Sequence, residues 1–277
     1  MSEPSYLPSL HASHESCWYH PVALSLVAFG LTYIWLRQRS LKMRLAAACV
    51  FVVLAAPSFL FTFYYAHLLP ERVWFYTLRS WQWSDFLVLF LGCAGGALAT
   101  LLRQSLFNLP WLATVAFGVV PHLKPLIGPL PDSDFQERWK GDACLQSTPS
   151  TCGPASVTTI LRHLGVESSE RATARAAFSY SGGTEAWYLA RYVRSRGLVP
   201  RFDFQRTFTP AVGFPALVGV RLIGFGHFIA VLDIRDDQVT FADPLYGAER
   251  LPLAQFLSRY QFTGFHMVVS KGGMSER

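Results

Sequence analysis

Residues 1–131 hold only four carboxylates, Glu3, Glu15, Glu71 and Asp85. A helix in water needs a polar face, and this half of the chain cannot supply one for each of its apolar segments. Those segments run over 18–36, 45–69 and 81–102. Crossing the hydrocarbon core takes about 20 helical residues. The second segment exceeds that length, and the first and third reach it with their Trp and Tyr flanks, which suit interfacial positions. A fourth segment, 109–130, is interrupted by Pro121 and Pro125 and carries His122 and Lys124. Its uninterrupted part, 109–120, is only ~18 Å long at the helical rise, so three spans and four both remain open.

Basic residues set an expected orientation. Arg37, Arg39, Lys42 and Arg44 cluster between the first two apolar segments, and such a cluster marks a cytoplasmic loop. The polar tail at 1–17 has no Lys or Arg; it lacks the basic start of a signal peptide and is expected outside. Four spans then place the remainder of the chain outside the cytoplasm, and three place it inside; four is the favoured count. The net charge of +6 comes from scattered residues, without interleaved basic and aromatic side chains in a polar segment. A nucleic-acid partner is therefore not expected.

Composition changes after Pro131, where 14 of the 18 acidic residues lie. The expected division is a polar tail at 1–17, a membrane domain of three or four helices at 18–130 and a soluble domain at 131–277. Periodicity and punctuation in the soluble domain predict helices from Cys152 to before Gly165, over 168–178 and over 184–196, the last stopped by Gly197. Strands are predicted over 198–204, 216–222, 227–234, 238–242 and 264–270, with a short helix over 253–260. Helices followed by consecutive strands on short turns indicate an α+β plan with an antiparallel sheet.

Five cysteines show neither zinc-ligand spacing nor a disulfide framework, and no metal or cofactor is expected. Cys49 and Cys93 fall inside apolar segments, where core thiols are ordinary. Cys152 opens a predicted helix, and the unpaired N–H groups of a helix start stabilise a thiolate. Gly153 permits close approach of backbone or substrate, and Pro154 is tolerated in a first turn. Gln146 lies six residues upstream, where its amide and the Cys152 N–H could form an oxyanion hole. His227 begins an apolar strand and Asp243 ends the next, so a hairpin turn at Asp236-Asp237 brings the two ends together. A cysteine peptidase needs a His to exchange protons with the thiol and a third polar group to orient the imidazole.

As a set, Gln146, the Cys152-Gly153-Pro154-Ala155 helix start, Gly226-His227, and Asp243-Pro244 with Gly247 resemble the bacteriocin-processing peptidases. These are papain-like domains that remove double-glycine leader peptides and are usually fused ahead of peptide-exporting ABC transporters. The resemblance covers about half of the chain. It implies Cys152 as nucleophile, His227 as general base and acid, Asp243 as its orienting partner and Gln146 as oxyanion donor. In this chain the peptidase follows the membrane segments, and no Walker A pattern is present. The expectation is an ATP-independent thiol protease, multi-pass in a bacterial inner or plasma membrane, with its peptidase domain outside the cytoplasm. Its partners would be the lipid bilayer, a peptide or protein substrate such as a leader peptide, and a separate transporter. The alternative is a non-hydrolytic peptide-binding domain tethered to the membrane.

Other residues are read blandly. Cys144 is expected to pack, with oxidation of the Cys152 thiol as the alternative role. His163 reads as a partly exposed helix residue and His266 as structural. Trp187, Tyr188 and Tyr192 read as core, with the border of a substrate cleft as the alternative, and His11, His14 and His20 as a loose cluster without diagnostic metal spacing.

Overall fold

The computed structural model describes residues 19–205, 207–222 and 224–272. The tail expected at 1–17, with His11 and His14, lies outside them. The chain divides into two compact units: 1–70 with 83–123, and 71–82 with 124–277. Composition alone had placed the division at residue 131. The structure moves the join to 124 and assigns a short piece of the apolar half to the second unit.

In the first unit, α1 (Tyr19–Leu36) and α2 (Leu41–Tyr65) flank the basic turn. The Ser40 hydroxyl caps α2 by accepting from the Met43 N–H. The next helix, α3 (Val73–Arg79), belongs to the second unit; α4 (Val88–Ala99) and α5 (Asn108–Val119) complete a four-helix bundle, and α6 (Leu123–Ile127) leads out of it. Stretches Leu41–Tyr65, Gln82–Ala99 and Gln104–Ile127 are long and apolar enough to cross a membrane, whereas His20–Leu36 is shorter. The interrupted fourth segment is thus helical as far as Ile127: a 3-10 turn at Val120–His122 places Pro121 where its missing N–H costs little. The bundle is apolar on the outside as well as inside, with Val27, Leu31, Val53 and Leu112 all exposed. Cys49 is exposed too. It had been expected in a core, but it sits on an α2 face that no protein covers.

Glycines draw α1 and α4 together. A Cβ at Gly92 would lie 1.9 Å from the Ser25 carbonyl oxygen, and one at Gly96 2.4 Å from that of Phe29. The two glycines are four residues apart, the spacing that lets helix backbones meet in an apolar medium. Ser25 Oγ donates to the Val88 carbonyl at 2.7 Å across the same contact.

In the second unit, a small hairpin of β1 (Arg138–Lys140) and β2 (Ala143–Leu145) precedes α7 (Cys152–His163), α8 (Glu170–Ala176) and α9 (Ala186–Ser195). Then come β3 (Leu198–Phe204), β4 (Ala216–Leu222), β5 (Phe225–Arg235), β6 (Gln238–Asp243), β7 (Gly247–Pro252), α10 (Leu253–Arg259) and β8 (Gln261–Lys271). The sheet is antiparallel throughout, in the order β3-β8-β4-β5-β6-β7. The α+β plan holds, and every predicted helix and strand of this half is present. The strand β7 was not anticipated, because an edge strand reading Gly-Ala-Glu-Arg-Leu-Pro has no apolar alternation. Val218, Val220, Ile229, Val231 and Phe241 form a core beneath Phe256 of α10. Asp236 and Asp237 both have positive φ, 50° and 60°, the paired left-handed geometry of a tight two-residue hairpin turn. That turn sets the register at its own end, with Arg235 opposite Gln238, and a bulge between Val231 and Asp233 then shifts it by one, so that Ala230 lies opposite Ala242.

Candidate active site

Three elements converge at Cys152. The loop before α7 is held by its own polar side chains. Thr148 N–H donates to Thr151 Oγ1 at 3.1 Å, and Thr151 N–H to the Thr148 carbonyl at 3.2 Å. Buried Glu170 accepts from the Ser147 N–H at 2.7 Å and from its hydroxyl. The chain therefore enters α7 on a fixed path. Cys152 is partly accessible at the first position of that helix. Gly153 faces inward, where a Cβ would meet Leu189 Cδ1 at 2.9 Å and Phe228 at 3.4 Å. Its role is close packing of α7 onto α9 and β5, not room for a substrate. One turn further on, Ser156 Oγ donates to the Phe228 carbonyl at 3.0 Å. This bond ties α7 to the residue next to His227 and brings the helix start to the imidazole.

His227 and Asp243 are both buried, and His227 Nε2 lies 2.9 Å from Asp243 Oδ1. That contact occupies Nε2, and the neighbouring Cys152 thiol also acts on the imidazole, raising its pKa. Burial alone would lower the pKa of His227. The bond to Asp243 and the nearby Cys152 outweigh it and raise the value to about 9. Burial likewise opposes ionisation of Asp243, but its bonds to His227 and to the Leu245 N–H hold its pKa below the ordinary carboxylate value. Leu245 N–H donates to Oδ1 at 2.9 Å and Tyr260 Oη to Oδ2 at 2.8 Å, so both oxygens are engaged.

Of the four residues singled out from sequence, Cys152, His227 and Asp243 are thus brought together, His227 bonded to Asp243 and Cys152 near enough to act on the imidazole. Gln146 is close by a different route: its backbone N–H donates to the Pro244 carbonyl at 2.9 Å. Its side-chain Nε2 donates to the Thr148 carbonyl at 2.8 Å, and Oε1 is buried without a partner among the described residues. Among the described residues, one hydrogen of the amide has no acceptor. Tyr260 and Glu170 were missed. Tyr260 follows a short helix with no pattern marking it, and Glu170, next to the Ser169 cap, reads as an ordinary acid of a helix first turn. Cys144 is buried, and burial first, then the nearby Glu170, pushes its thiol up to about 12. That is the chemistry of a packed thiol rather than a redox partner. His266 is buried in β8 with Nδ1 3.1 Å from the Gly264 carbonyl, and His163 is exposed. No cluster of His, Cys, Asp or Glu able to hold a metal occurs among the described residues.

The antiparallel α+β unit, with Cys152, His227 and Asp243 gathered at a helix start, has the make-up of a peptidase domain. Residues 140–273 match the model of the peptidase C39 family, and the chain belongs to that family. An uncharacterized protein of Methanothermobacter marburgensis is 31% identical over 132 residues, covering 46% of this chain and 86% of that protein. The probable functional amyloid protease FapD of Pseudomonas aeruginosa is 26% identical over 131 residues, covering 44% and 58% respectively. Among solved structures, the peptidase domain of Streptococcus ComA, a bi-functional ABC transporter, aligns with TM-score 0.41 and 20% identity over 46% of this chain and 96% of that domain. A double glycine motif protease from an AMS/PCAT transporter, in complex with its leader peptide, aligns with TM-score 0.40 and 20% identity over 48% and 94%.

Proposed function

We propose that this chain is a membrane-anchored cysteine peptidase that hydrolyses peptide bonds in a peptide or protein segment through an acyl-enzyme on Cys152. The observation that carries the reading is the buried His227, bonded to Asp243 at 2.9 Å and placed beside Cys152, which acts on its imidazole. Cys152 reacts as the thiolate of a thiolate–imidazolium pair. Its sulfur bonds to the scissile carbonyl carbon, and the carbonyl oxygen gains negative charge. The backbone N–H groups at the start of α7 and the uncommitted hydrogen of the Gln146 amide are the donors for that oxyanion. Collapse expels the amine, which takes its proton from His227. The neutral imidazole then removes a proton from water, the hydroxide attacks the thioester, and Cys152 leaves as thiolate. Asp243 keeps Nε2 protonated and Nδ1 aimed at sulfur throughout.

The apolar bundle is the anchor in this reading, and a separate transporter could present the substrate. The test is the rate of iodoacetamide labelling against pH for the detergent-solubilised full chain, with the modified cysteine identified by mass spectrometry. Rapid modification of Cys152 well below pH 8.5, slowed in His227→Ala, is expected of an activated thiolate. An ordinary thiol profile indifferent to His227 would refute the peptidase and favour a domain that binds peptides without cutting them.

A further inference from the structure

The loop between α2 and α4 is built into the peptidase unit. Its helix α3 buries Phe75, Tyr76 and Arg79, each less than 5% exposed. The Tyr76 ring meets Trp187 of α9 at 5.2 Å, Phe202 of β3 at 5.4 Å and Phe204 at 5.2 Å, all edge-on. Arg79 donates to Tyr188 Oη at 3.0 Å, and its carbonyl accepts from Arg191 Nε at 2.9 Å. The Arg194 guanidinium stacks 4.0 Å over the Trp81 ring. Such a docking buries too many aromatic and hydrogen-bonding groups to be a loose apposition. Residues 71–82 and 124–277 therefore occupy the same side of any membrane the bundle crosses.

The bundle's own bonds agree on how the chain gets there. Near the start of α2, Arg44 Nη1 donates to the Thr100 carbonyl at the end of α4, at 2.9 Å. Near the other end of α2, Thr62 Oγ1 donates to the Phe117 carbonyl late in α5, at 3.3 Å. So α4 runs to the end of the bundle that holds the basic turn, and α5 returns to the end from which residues 66–70 depart. With 25 residues, α2 extends ~37 Å, more than the ~30 Å hydrocarbon core. It therefore separates the 37–44 cluster from the 71–82 loop whatever the short α1 does. Four basic residues lie in 37–44, and Arg103 follows α4 at the same end. Between α2 and α4 there are two, of which Arg79 is committed to the peptidase unit.

We propose that the peptidase unit lies on the extracytoplasmic face, opposite the 37–44 loop, with 71–82 as an integral brace. Its substrate class is then polypeptide exposed outside the cytoplasm: exported chains or the outer segments of membrane proteins. This inference rests on the membrane-anchored reading, and the two fail separately. Release of the full chain from membranes by carbonate would remove the anchor. Sidedness is read with a small membrane-impermeant maleimide on cells expressing the full chain in a Cys17→Ser/Cys152→Ala background, so no catalytic step is involved. Arg235→Cys and Arg250→Cys, at exposed positions of the peptidase unit, should label in intact cells as strongly as in permeabilised ones. Arg39→Cys should label only after permeabilisation. Labelling of Arg39→Cys in intact cells overturns the proposal, as does labelling of the two peptidase positions only after permeabilisation.

Discussion

Replacing Asp243 by Asn tests how the site holds its proton. In the native protein the His227 pKa stands at about 9 although the ring is buried, and the hydrogen bond to Asp243 is the largest influence raising it. Asn preserves the shape of the side chain but not its charge, while the burial that opposes the imidazolium remains. The pKa should fall by more than one pH unit, toward or below the ordinary 6.5. A fall all the way from about 9 to 6.5 corresponds to about 3 kcal/mol of differential stabilisation. At pH 7.5 the ratio of imidazolium to imidazole would pass from roughly 30:1 to roughly 1:10. The assay is a pH titration of the full chain labelled with 15N-histidine in detergent, with the His227 resonances assigned by their absence in His227→Ala. The same linkage appears in stability. A histidine whose folded pKa is raised contributes stabilisation that is fully present below its unfolded value near 6.5 and is lost as pH rises through about 9. The native chain should thus lose thermal stability over that window, and Asp243→Asn should lack most of the loss. A native His227 titrating near 6.5, or a value near 9 unchanged by Asp243→Asn, would refute the reasoning.

Other perturbations bear on separate parts of the molecule. Tyr260→Phe removes the hydroxyl that donates to Asp243 Oδ2 and leaves a buried carboxylate oxygen short of a donor. Unfolding of the variant, followed by circular dichroism, should show a loss of about 1–3 kcal/mol. Cys144 should resist iodoacetamide at pH 8 while Cys152 is modified, because it is buried and its thiol is pushed up to about 12; peptide mapping of the alkylated chain checks this. Arg79→Ala removes the charged donor to Tyr188 from inside the peptidase unit. It should cost about 1.5–3 kcal/mol, seen as a lower melting temperature of the full chain. Gly96→Leu places a side chain where even a Cβ would come 2.4 Å from the Phe29 carbonyl. The α1–α4 contact should open, and size-exclusion chromatography in detergent should show aggregation.

How much of this was legible in the sequence depended on the range of the interaction. The helix starting at Cys152, the stop at Gly197 and the strand Leu198–Phe204 follow from periodicity and local backbone preference. The approach of His227 to Asp243 was legible only as the nearness of two strand ends, because the bulge between Val231 and Asp233 that brings the two side chains to one face has no mark in the sequence. Gln146 was legible as a neighbour of the site, but the direction of its amide, bonded to Thr148, depends on how the loop folds on itself.

Composition and pattern along the chain already show that one half is too poor in charge to fold as ordinary water-exposed helices, and that the other carries a Cys–His–Asp order on an α+β plan. Both are matters of composition and short-range pattern. Tertiary structure alone decided that Gly153 serves helix packing, that Tyr260 and Glu170 fasten the site, and that α3 is part of the peptidase unit. Each depends on residues brought together across tens of positions, such as Arg79 with Tyr188 or Asp243 with Tyr260. No local periodicity encodes such a meeting, because the partners are selected by the packing of whole elements and not by their neighbours in the chain.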